Sequence, residues 1–179
     1  MTPQSHWLWD TVARRPKGED DLSDYLQARL MELIGGRAVV INREVQVRRT
    51  GPRGVGERVD LFVSAADVTG SVSTVIVEVK CAWNRELLTA MKDQLVDRYL
   101  PDVRSRHGIY CVGWYSTSKW EASVRDLPRD ARKAEVARLD RSEVEEALKA
   151  QAADMRDLGY EIELSILDVS YARPGEEPS

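Results

Sequence analysis

The chain has 179 residues, 42% hydrophobic and 31% charged, with 26 basic against 30 acidic side chains and a formal net charge of −4. That length suits one domain with a sizeable core, and the charge excludes a polyanion binder held by bulk basicity, though not local contact with nucleic acid. No apolar run reaches the length of a membrane span, and the N-terminus lacks the basic-then-apolar layout of a signal peptide. A cytoplasmic protein without membrane association is therefore expected.

In chain order, residues 1–18 carry Trp7 and Trp9 ahead of a Pro16-Lys17-Gly18 break, which reads as an extension folded back on the domain, because tryptophans are rarely left in water. Residues 19–34 place Leu22, Tyr25, Leu26, Leu30, Leu33 and Ile34 at helical spacing. Glu19, Asp20 and Asp21 crowd the first turn, and Gly35-Gly36 stops the helix. Residues 37–49 alternate as a strand and lead to a turn over 50–54. Two more strands follow, 58–63 with Asp60 near its start and 73–80 ending in Glu78-Val79-Lys80. The β-branched content of the second argues for a buried strand, with Glu78 and Lys80 on one face, a pleat apart. Paired antiparallel through the turn around Gly70, the two strands would bring Asp60 to the Glu78/Lys80 end.

Residues 85–100 read as a second helix with Leu88, Met91, Leu95 and Tyr99 on one face and Pro101 beyond its end. Residues 107–115 are nearly continuously apolar, as expected of a strand buried on both faces. A linker or short helix (120–127) precedes a charged helix over 130–158, with Val136, Leu139, Val144 and Leu148 inward and Gly159 at its end. A closing strand follows over 161–169, and 172–179 read as a disordered tail. The single domain thus runs from 19 to 171. Cys81 and Cys111 fall in or beside core strands and read as buried thiols.

Two carboxylates and a lysine at one strand end are costly unless paired or used, and together suit a divalent-metal site with a cationic neighbour. The pattern of Asp60 on one strand and Glu78-Val79-Lys80 on the next resembles the PD-(D/E)xK nuclease superfamily, without the proline of its name. The element order α-β-β-β-α-β over 19–115 is also that of its restriction-endonuclease-like core. The fold class expected is mixed α/β (α+β), a mixed central sheet flanked by helices, with an added C-terminal helix and strand.

The resemblance implies a phosphodiester hydrolase in which Asp60, Glu78 and the backbone carbonyl of Val79 hold Mg²⁺, with Mn²⁺ able to substitute. Lys80 would orient the attacking water or stabilise charge on the phosphate. The superfamily's further acid on the first helix falls on Glu19, with Asp21 the alternative. Gln94 and Tyr99 resemble the Gln-x-x-x-Tyr helix of some branches, one residue longer, and Gln94 and Arg98, four apart, would share a helix face. The implied substrate is DNA, or else RNA, with Arg43, Arg58 and Arg98 as candidate phosphate contacts and a protein partner or homodimer supplying targeting. A bacterial defence or DNA-processing role fits that analogy. The alternative readings are a catalytically silent nuclease-like binding module and, more remotely, a two-carboxylate glycosidase.

Overall fold

The computed structural model of the chain describes residues 5–34, 38–48, 57–121 and 132–170. The expected turn at 50–54, the Gly35-Gly36 stop, nearly all of the 120–127 linker and the C-terminal tail fall outside them. A short helix α1 (Ser5–Leu8) and a two-stranded ribbon, β1 (Trp9–Asp10) and β2 (Arg15–Pro16), precede helix α2 (Glu19–Ile34). Strands β3 (Val39–Arg48), β4 (Glu57–Ala66) and β5 (Val72–Cys81) form the expected antiparallel meander. A π-helix (Met91–Tyr99) runs into a one-turn helix α3 (Leu100–Asp102), and β6 (His107–Trp114) follows. Helices α4 (Lys133–Val136) and α5 (Arg141–Asp157) lead to β7 (Glu161–Asp168).

The central sheet has the order β3-β4-β5-β6-β7, antiparallel on the β3 side and parallel from β5 to β7. Parallel neighbours need a crossover, and the π-helix segment and α5 provide the two. Together with β5, which is buried from Ile76 to Cys81, these elements make a mixed α/β protein with helices on both faces of the sheet. On one face Val59, Ile76, Tyr110 and Val112 meet Met91, Leu95, Leu148 and Met155. On the other Leu61, Val77 and Val79 meet Leu22, Trp9, Trp83 and Trp120. Val144, Leu148, Ala152 and Met155 of α5 recur at helical spacing and are buried. Fully burying a side chain such as Leu148 contributes about 1.5–3 kcal/mol. Among the described residues no helix is long and apolar enough to cross a membrane.

The N-terminal extension packs as expected through Trp9, which is buried and donates its indole N–H to the Val169 carbonyl at 2.6 Å. Trp7 does not, being 53% exposed. The expected helix over 85–100 is corrected in kind and start: residues 85–89 form turns, and the helix from Met91 is a π-helix. The Leu100 N–H bonds the Leu95 carbonyl five residues back, and Pro101, expected beyond the helix end, lies inside α3. Leu88, Leu33 and Leu139, all expected inward, are exposed. The charged helix is broken: Asp140 accepts hydrogen bonds from the Ser142 and Glu143 N–H groups and starts α5 afresh. Gly159, with φ of +82°, ends it in the left-handed conformation.

Candidate active site at the parting of β4 and β5

The ladder between β4 and β5 ends at Leu61 and Val77. One residue further on, β4 presents the Asp60 side chain to β5 in place of its backbone. Asp60 Oδ2 accepts the Val79 N–H at 2.7 Å. Cys81 lies two residues beyond Val79, so its N–H points the same way, and it donates to Glu19 Oε1 of α2 at 2.8 Å. Two carboxylates from distant parts of the chain thus take over the N–H groups that the departing strand leaves without partners. In a strand the N–H and C=O of one residue point to the same side, so the Val79 carbonyl opens into the same gap.

Glu78 and Lys80 stand on the face towards the π-helix, as the period of two requires. Both are buried, at 2% and 7% exposure, and Lys80 Nζ donates to Glu78 Oε1. Burial pushes the Glu78 carboxyl up to about 8, and repulsion from Asp60 adds to this despite Lys80. Burial also raises Asp60 and Glu19, against the lowering effect of the Val79 N–H on Asp60 and of the Cys81 N–H and Asn84 on Glu19. Burial opposes the charge on Lys80, but Glu78, Asp60 and Glu19 more than offset it, so Lys80 keeps its proton. The cluster therefore sets three carboxylates against one ammonium, two negative charges in excess when all are ionised.

Its donor set is all oxygen, which suits a hard divalent cation such as Mg²⁺ or Mn²⁺. The thiols do not join it. Burial holds Cys81 far above its ordinary value and pushes Cys111 up to about 12, so both stay protonated. Among the described residues no three His, Cys, Asp or Glu side chains stand together so that they could hold a metal ion as they are placed. Each carboxylate here has an oxygen turned to a protein donor, which an incoming cation would have to share or displace.

The structure brings together Asp60, Glu78, Val79, Lys80 and Glu19. On α2, Asp21 Oδ2 accepts the Gly18 N–H at 2.9 Å and caps the helix start, while Glu19 reaches β5. Gln94 donates to Glu86 Oε2 at 2.6 Å, outside the cluster. Arg98 is exposed, whereas Gln94 is half-buried. The spacing of Gln94 and Tyr99 has a physical counterpart here, since residues five apart stand about 140° apart around an α-helix but are joined by the i→i+5 hydrogen bonds of a π-helix. Arg43 is held by Asp24, Asp20 and Glu44, and Arg58 by Glu44. Two of the three candidate phosphate contacts are thus paired with acids of the protein itself. Asn84 is the member that sequence reasoning missed. Its amide donates to both oxygens of Glu19, at 2.8 and 3.0 Å, and only its place four residues after Lys80 could have drawn notice.

Residues 4–117 match a domain of unknown function, DUF8371. The chain belongs to that family. The DUF8371 match spans α2 to β6 and so includes every member of the cluster, whereas α5 and β7 lie beyond it. No curated protein matches the chain.

Proposed function

We propose that the chain is a metal-dependent nuclease of the PD-(D/E)xK kind, hydrolysing phosphodiester bonds in the cytoplasm, with DNA as substrate. One observation carries this reading: three carboxylates and a lysine converge where β4 leaves β5, Glu78 and Lys80 buried and Asp60 and Glu19 half-buried, and when ionised they carry an excess of negative charge that a divalent cation would balance. Asp60, Glu78 and the Val79 carbonyl would hold Mg²⁺, or Mn²⁺ in its place, with Glu19 completing the acidic wall. The bound ion supplies Lewis-acid chemistry, drawing charge from the scissile phosphate and acidifying the attacking water. Lys80 keeps its proton and donates towards the site. On release from Glu78 it can hold the attacking water or stabilise charge building on the phosphate oxygens. Targeting is assigned to a protein partner or a second copy of the chain, in a DNA-processing or defence setting.

A second reading, a silent nuclease-like binding module, draws on the engagement of each carboxylate with a protein donor. Supercoiled plasmid separates the two. With Mg²⁺ or Mn²⁺ the wild-type chain should nick it, excess chelator should stop nicking, and Lys80→Met should abolish turnover. Nicking that persists in chelator or in Lys80→Met would sink the mechanism. Retention of plasmid in a gel without cleavage under every ion condition would favour the binding module.

A further inference from the structure

We propose that Asn84 is a positioning residue for Glu19: its carboxamide clamps the Glu19 carboxylate in the gap that Asp60 also enters, presetting the third acid of the site. This rests on the metal-site reading above.

The orientation of the amide follows from its partners. Asn84 Oδ1 accepts the Glu86 N–H at 2.8 Å, which only the carbonyl oxygen can do, so the NH₂ end must face Glu19. There its hydrogens meet both carboxylate oxygens, at 2.8 and 3.0 Å, while the Cys81 N–H meets Oε1 from the other side. Bonds from a fixed amide to both oxygens set the rotation of the carboxylate as well as its place, and bonds to a charged acceptor are stronger than neutral ones.

The clamp is itself held rigid. Asn84 N–H donates to the Cys81 carbonyl at 2.8 Å, and Ala82 N–H to the Gly113 carbonyl of β6 at 3.0 Å. Arg132 donates to the Trp83 carbonyl. The Trp83 ring lies 4.7 Å from that of Tyr115 and 5.5 Å from that of Trp120. A turn fixed on three sides can preset a ligand at little entropic cost. Partners that orient the groups around an ion commonly change its affinity by about 10- to 100-fold.

The test uses Asn84→Ser in the full chain. A serine hydroxyl can still accept the N–H two residues on and keep the turn, but it cannot span both oxygens of Glu19. Mn²⁺ binding is read from the paramagnetic resonance of the free ion, for wild type, Asn84→Ser, Glu19→Gln and the double variant. Asn84→Ser should lower affinity by about 10- to 100-fold while its circular dichroism in chelator matches wild type, and it should add no loss to Glu19→Gln. Wild-type affinity in Asn84→Ser, or losses that multiply in the double variant, would overturn the proposal and leave the metal-site reading standing. No Mn²⁺ binding by the wild type would overturn both. An independent measurement needs no change at Asn84: its side-chain NH₂ signals should move on Glu19→Gln, and unmoved signals would also overturn the proposal.

Discussion

Glu78 offers the sharpest test of the electrostatics. In the folded chain without metal its carboxyl titrates near 8, against 4.5 for an ordinary glutamate. Between those values the folded protein holds a proton that the unfolded chain gives up, so stability falls as pH rises through the window. The full span corresponds to about 5 kcal/mol at 1.36 kcal/mol per unit. Linkage distributes it as about 1 kcal/mol lost by pH 5, about 3 by pH 7 and nearly all by pH 9. Glu78→Gln keeps the size and the acceptor for Lys80 but does not titrate. Urea unfolding in chelator should therefore find the variant gaining on wild type by about 4 kcal/mol at most between pH 5 and pH 9. Groups outside the cluster titrate alike in both chains and cancel. A difference that stays flat across that range would mean that Glu78 is ionised throughout, and the reasoning about the strained cluster would fail.

Further outcomes follow from the same geometry. Lys80→Met removes the only ammonium of the cluster and should cost about 3–5 kcal/mol at pH 9. The cost should be less at low pH, where Glu78 is protonated in either chain, and urea unfolding at both pH values checks this. Saturating Mn²⁺ should stabilise the wild type, by about 2.7 kcal/mol at a hundred times the dissociation constant, and a thermal scan should find no such gain in Asp60→Asn. Gly113→Ala would set a Cβ 2.5 Å from Leu22 Cδ2, forcing that fully buried side chain, on the helix that carries Glu19, to shift. It should lose about 1–3 kcal/mol in chemical denaturation and weaken Mn²⁺ binding with it.

How far the sequence alone could be read depended on whether the deciding contacts were local. The strands carry their signal in a period of two, so β4, β5 and their antiparallel pairing were legible, and with them the meeting of Asp60 and Glu78. Glu19 was legible as well, because a position three before Leu22 shares its helix face, and Leu22 is fully buried. The π-helix was not, since Met91, Leu95 and Tyr99 satisfy an α-helical stripe while the hydrogen bonds that decide the matter run five residues back. Nor was the masking of Arg43, whose acids at Asp20 and Asp24 come from α2 across the fold. Asn84 sits in a turn whose neighbour Trp83 is packed on Tyr115 and held by Arg132 from a distant segment, contacts that no local pattern announces.

Anomalous diffraction from a crystal grown with Mn²⁺ would test the central claim most directly. The account predicts one strong peak between Asp60 and Glu78, within coordination distance of a carboxylate oxygen from each and of the Val79 carbonyl, with Lys80 turned away from Glu78. Crystals at saturating Mn²⁺ with no peak in that gap, and with Asp60 still on the Val79 N–H and Lys80 still on Glu78, would contradict it.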